Sequence, residues 1–176
     1  MQKFITTSFL CFILTQSPGQ TQRKSALYLQ AQYNQTLYDA TRGNNPWAIG
    51  LGLQLFFNNT SKLKPTIELT ADAYLEDDKV LRLHTDGTPM NDLGGMVNLF
   101  GGASYHPTKI IYMSFVAGPS FVGGQTLLGI KPSIGFHFSP SRKWTGKISY
   151  INVFNRDKKI KEDFGSISLS LGRKLL

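Results

Sequence analysis

The chain has 176 residues, 17% of them charged, with 12 Phe, 7 Tyr and 17 Gly; this is length for one domain with a real core and too much apolar content for a disordered polymer. Its formal charge is +8, but the Lys and Arg residues are scattered among turns and loops, not clustered on a helix or one strand face. The basic footprint that nucleic acid requires is therefore missing, and nucleic acid is not expected as a partner.

The chain opens with MQKFITTSFLCFILTQSPGQ. Lys3 supplies a positive start, and Phe4 to Leu14 is an apolar run too short to span a bilayer as a helix. Ser17-Pro18-Gly19 then offers small residues to a signal peptidase. Residues 1–19 are expected to be a cleaved secretory signal and 20–176 the mature domain. Cys11 follows Leu10, which is too large for a lipoprotein signal. The mature domain would then carry no cysteine and no disulfide.

Eight period-two segments follow, near Ala26 to Asn34, Trp47 to Phe57, Lys64 to Tyr74, Met96 to Tyr105, Ile110 to Gly118, Leu127 to Phe138, Trp144 to Ile151 and Phe164 to Arg173. Strict alternation is the mark of a strand with unlike faces. Most segments reach the nine residues that a tilted strand needs to cross a bilayer. The links alternate. NNTSK (58–62), HPTK (106–109) and SPSRK (139–143) are tight, whereas 35–45, 75–93, 119–126 and 152–163 read as long and polar. Short turns on one side and long loops on the other are the rhythm of an up-and-down outer-membrane barrel.

One face of these strands is apolar throughout. In NPWAIGLGLQLFFNN it holds Trp47, Ile49, Leu51, Leu53 and Leu55, with no charge on it anywhere. The other face is polar. Two architectures share this pattern: a soluble lipocalin-like carrier with the apolar face inside, and a membrane barrel with it outside. A soluble surface is about 25–35% charged, whereas the polar face has four charges, Glu68, Asp72, Lys131 and Lys147, among roughly thirty positions. These four are expected to pair with one another in a lumen. Aromatics lie near strand ends on the apolar face, with Tyr33, Trp47 and Tyr150 at the long-loop end and Tyr105 and Trp144 at the turn end. Two such girdles suit a membrane interface. The chain also ends in a strand, without the helix and Gly-x-Trp of a lipocalin.

On these residues the chain resembles the small eight-stranded outer-membrane β-barrel proteins of Gram-negative bacteria, with a glycine and aromatic style like that of Bacteroidetes-type barrels. The resemblance lies in pattern and covers essentially the whole mature chain. In SLGRKLL, Ser170, Gly172 and Leu175 fall in the register of the family's C-terminal sorting signal, although the chain ends in Leu176 rather than Phe. The resemblance implies an all-β, eight-stranded antiparallel up-and-down transmembrane barrel in the outer membrane, reached by export through the periplasm, with short periplasmic turns and long external loops. It further implies monomers, contact with outer-membrane lipid and lipopolysaccharide, and assembly through the C-terminal strand by the barrel-assembly machinery.

Little in the sequence points to chemistry. Glu68 and Asp72 share a face and could form an acid/base pair, but buried charges are expected to be paired. His84, His106 and His137 lack metal-ligand spacing. His137-Phe138-Ser139 has the His-x-Ser form of lipid A deacylases, but no acid follows within reach. Gly50-Leu51-Gly52 lies within a strand and is not a nucleotide loop. No enzyme activity, cofactor or metal is expected. Arg156, Lys158, Lys159 and Lys161 in the last loop are candidates for contact with lipopolysaccharide phosphates or a surface partner. The leading reading is a structural or surface-interaction barrel with a packed polar lumen. The alternatives are a narrow channel for small solutes, suggested by inward glycines and polar residues, and a soluble carrier of a hydrophobic ligand. Pro132 sits mid-strand, where a bulge or a weak seam is expected because proline cannot donate to a ladder.

Overall fold

The computed structural model describes residues 25–38, 45–58, 60–75, 87, 94–157 and 162–176. The expected signal (1–19), His84, most of the link 75–93, and Lys158, Lys159 and Lys161 lie outside the described residues. Eight strands follow one another: β1 (Ala26–Tyr38), β2 (Trp47–Phe56), β3 (Leu63–Leu75), β4 (Gly95–Tyr105), β5 (Ile111–Val122), β6 (Gln125–His137), β7 (Trp144–Asp157) and β8 (Glu162–Lys174). Each pairs antiparallel with its chain neighbours, and β8 returns to β1 in a register running from Tyr28↔Lys174 to Gln35↔Ile167. The sheet is a closed barrel. Closure gives every strand a partner on both sides, the condition for placing a sheet in hydrocarbon.

The alternation fixes the faces. In β3, Thr66, Glu68, Thr70, Asp72 and Tyr74 are buried while Ile67, Leu69, Ala71 and Ala73 are exposed. All eight strands behave alike. Leu29, Leu51, Leu69, Leu99, Phe115, Ile134, Ile148 and Leu169, one from each, stand 41% to 61% exposed on the outer wall. The apolar face is the outside, so the soluble-carrier alternative fails: such a carrier would need its polar face toward water, and here the polar face is turned inward.

The strands run further than the alternation predicts, chiefly at the long-loop end. The link expected over 119–126 is in fact a hairpin. β5 and β6 pair up to Val122↔Gln125, and Gly123 and Gly124 turn the chain with φ of 54° and 69°. Positive φ at both central residues defines the turn whose twist suits a two-residue hairpin, and glycine adopts it without strain. β7 and β8 likewise extend to Asp157↔Glu162, with an irregularity after Val153 where Asn155 has φ 55° and donates its N–H to Asp163 Oδ1 at 2.9 Å.

Pro132 makes no bulge. It faces outward and pairs with Phe115 of β5. On the β7 side the ladder stops at Ile130↔Asn152 and resumes at Ser133↔Ser149 in unchanged register. The seam skips two pairs beside the residue without an N–H.

Candidate functional site: a layered lumen between unlike ends

The inward side chains form three layers. At the turn end, Tyr28 (β1), Phe56 (β2) and Tyr112 (β5) meet His106, just past β4, and His137, the last residue of β6. The ring of His106 is stacked on Tyr112 at 5.3 Å and 18°, and His137 lies 5.2 Å from Tyr112 and 6.3 Å from His106, so the three rings form a triangle. Phe56 meets Tyr28, His106 and Tyr112 edge-on, the arrangement ring quadrupoles favour. The Tyr28 hydroxyl donates to the Arg142 carbonyl at 2.9 Å, which ties the plug to the last short turn.

The middle layer is polar. Glu68 from β3 accepts from Lys147 of β7 at 2.8 Å and from Lys131 of β6, and all three side chains are inaccessible to solvent. Gln54 accepts from Gln30 at 2.7 Å and lies 3.4 Å from the Lys147 ammonium. Asp72 is not part of this ion cluster. It accepts from Gln32, from Asn34 at 2.7 Å and from Asn98 at 3.5 Å. The four charges therefore form a three-member ion cluster and a separate amide-capped carboxylate. Small side chains at Ser114, Ser133, Ser149 and Ser168 line one side of the lumen and leave room for the two lysine stems to reach across it.

The third layer is apolar and closes the external end. It comprises Ala48, Tyr74, Met96, Val122, Ile151, Val153 and Phe164, with Leu127 packed against them. Tyr74 and Phe164 meet at 5.4 Å and 90°.

The inward glycines are not open space. A Cβ on Gly135 would lie 2.1 Å from the Tyr112 ring, one on Gly50 2.1 Å from the Asp72 carboxylate, and one on Gly129 2.9 Å from Phe100. Each of these three is the bed on which an inward neighbour lies, whereas a Cβ on Gly102 or Gly118 would meet only backbone of the adjacent strand. This weakens the glycine part of the sequence argument for a channel, because at these positions the missing side-chain volume is filled from the adjacent strand, as an eight-stranded interior allows.

Of the aromatic candidates Trp47, Tyr105 and Trp144 are terminal residues of their strands, whereas Tyr33 and Tyr150 lie inside β1 and β7, because those strands run on past the expected ends. Tyr33 stacks on Trp47 at 6.1 Å, and both are exposed on the outer wall, as are Tyr105 and Trp144. Tyr150 is half-buried and donates to Asn152 Oδ1 at 3.3 Å. Arg156 is 3% exposed and packs by the Gly123 turn, so it is not offered to the exterior.

Among the described residues the candidate groups do not come together. His137 points into the ring stack, and neither of its nitrogens has a hydrogen-bond partner, whereas Ser139 bonds Ser141 at 2.7 Å. Glu68 and Asp72 are each committed to buried partners. Among the described residues no group of three His, Cys, Asp or Glu side chains could hold a metal.

Sequence reading missed one feature, the sorting of charge. Every short turn and the C-terminal end carries cations, and no Asp or Glu side chain stands at that end among the described residues. The cations only look scattered in the chain. Three hairpins and a terminus bring them to one rim.

A closed wall, apolar outside and polar within, with aromatics near both ends, defines a transmembrane β-barrel of the outer-membrane type. Solved structures agree on the fold. Ail, an outer membrane protein of Yersinia pestis, determined in a phospholipid bilayer nanodisc, superposes with a TM-score of 0.55 at 12% identity, covering 86% of this chain and 100% of that one. The crystal structure of Ail in complex with the heparin analogue sucrose octasulfate gives 0.51 at 9%, covering 86% and 97%. A de novo designed transmembrane β-barrel gives 0.51 at 9%, covering 89% and 100%. No protein-family model matches the sequence, and no curated protein matches it.

Proposed function

We propose that the chain is a non-enzymatic outer-membrane barrel that acts as a structural or surface-interaction protein, with its loops as the functional part and its wall as the mount. The observation that carries this is the lumen: a ring plug, a buried ion cluster and an apolar layer in series between the two ends. Among the described residues the interior is occupied by the barrel's own side chains, which supports the loops as the variable, functional surface. The last loop's Lys158, Lys159 and Lys161 are the candidates for contact with lipopolysaccharide phosphates. Polyanion binding by an eight-stranded barrel has a precedent in Ail with sucrose octasulfate. The signal at 1–19 would deliver the chain to the periplasm. The C-terminal strand β8, with Ser170, Gly172 and Leu175, would be the segment that the barrel-assembly machinery reads, yielding a monomer.

Planar-bilayer recording on the refolded full chain tests the lumen. The expected result is no conductance steps. A narrow channel is the second reading, favoured by the serine row, and well-defined steps would establish it in place of the first. For the loops, K158Q/K159Q/K161Q is expected to weaken binding to lipopolysaccharide-coated beads. Undiminished binding would remove the loop from the proposal.

A further inference from the structure

We propose that the turn end of the barrel is a binding collar for anionic phospholipid headgroups of the adjoining leaflet, an inference that rests on the transmembrane reading above. The first short turn brings Lys62 and Lys64, the second Lys109, the third Arg142 and Lys143, and the C-terminal end of β8 Arg173 and Lys174. No carboxylate side chain neutralises them there, since the ion pairs between described residues belong to buried Glu68. Among the described residues the opposite end differs, because β8 begins there with Glu162 and Asp163.

Two of the cations are held inside the rim. Lys64 donates to Asn58 Oδ1 at 2.9 Å, and Arg142 donates from Nε to the Lys109 carbonyl at 3.1 Å. The other five are exposed. Arg173 lies over the Trp144 ring at 5.8 Å, which fixes its guanidinium at the level of the aromatic belt, where headgroups lie.

The neighbours of these cations decide between a lipid and a soluble acidic partner. Leu63 stands between Lys62 and Lys64, Ile110 follows Lys109, Phe138 lies just before the third turn and Leu175 follows Lys174, each 50% to 57% exposed. Cation and apolar side chain alternate around the rim. At a bilayer surface both are satisfied together, with the apolar group in hydrocarbon and the flexible cation reaching up to phosphate. A soluble acidic protein would answer the charge and leave the apolar half in water.

The test uses the full chain refolded into mixed vesicles of phosphatidylcholine and phosphatidylglycerol, extracted mildly, with the retained lipid counted by native mass spectrometry. Phosphatidylglycerol is expected to be enriched over its bulk share on the order of five-fold or more, the weight of about one well-placed cation, and less so at high salt. The variant K62Q/K109Q/K143Q/R173Q/K174Q should return to the bulk ratio, and the external-loop variant K158Q/K159Q/K161Q should keep the enrichment. Inorganic phosphate should displace no more lipid than chloride at equal ionic strength. Bulk-ratio retention by the parent chain, enrichment surviving in the five-fold variant, loss in the loop variant instead, or selective displacement by phosphate would each overturn the collar. A heat-induced mobility shift in SDS gels monitors the barrel itself. A shift without enrichment sinks the collar alone, and no shift in any vesicle sinks the barrel reading with it.

Discussion

Glu68 holds the ammonium of Lys147 at 2.8 Å in the middle of the lumen, and neither side chain touches solvent. Lys131 shares the same carboxylate, so one acid compensates two buried cations. Removing the acid alone strands both. Glu68→Ala is expected to destabilise the barrel by about 3–5 kcal/mol, the cost of breaking a buried pair from one side. Replacing all three by apolar residues of similar size should restore most of that loss. Urea unfolding in vesicles, followed by Trp fluorescence, reads both, and a triple variant as weak as the single one would contradict this account.

Tyr112 lies on Gly135, where a Cβ would sit 2.1 Å from its ring. Gly135→Ala should therefore cost about 1–3 kcal/mol by overpacking. The cost is expected to shrink when Tyr112→Ala is present, since the clash is then gone. A double-mutant cycle measures this coupling directly, and strictly additive losses would mean that the glycine serves some other purpose.

Stability should decline in mild acid. His106, beyond the end of β4, is buried against Tyr112 and Phe56. Burial foremost, then the charges of Lys64, Arg142 and His137, pushes its pKa down to about 4 from an ordinary 6.5. Between those values the unfolded chain takes up a proton that the folded barrel refuses. The stabilisation is thus complete above 6.5 and lost progressively as the pH falls toward about 4. His106→Phe should flatten that part of the profile, and an unchanged slope would assign the acid sensitivity elsewhere.

The outer wall should report depth. Leu69 is central in β3 and faces out, whereas Leu63 lies at the rim. Leu69→Arg should cost about 2–4 kcal/mol and Leu63→Arg about 0–1 kcal/mol, as for lipid-facing sites at the midplane and near the interface. Equal costs in vesicles would mean that this wall does not face hydrocarbon.

Much of the fold was legible because a strand's period is two and a membrane wall reverses the usual sense of inside and outside. The run from Trp47 to Leu55 already carried both facts. Strand ends were less legible. Residues 119–126 looked like a loop because Gly118 and Pro119 break the alternation, yet pairing with β6 carries β5 on to Val122. A partner strand satisfies backbone groups irrespective of local propensity. The ion cluster was legible as four charges on one face, but not its division. Asp72 meets Gln32 and Asn34, not a lysine, because strand stagger sets which inward residues share a level, and stagger is a property of the pairing.

By itself, then, the sequence determined the number of strands, their faces and the side that lipid touches, since each follows from local alternation and composition. The tertiary structure alone decided three further things: that Gly135, Gly50 and Gly129 are beds for Tyr112, Asp72 and Phe100, that Glu68 serves two lysines, and that the turn cations form one rim. Each depends on which residues closure and register bring level across the barrel, a distance that no neighbourhood along the chain encodes.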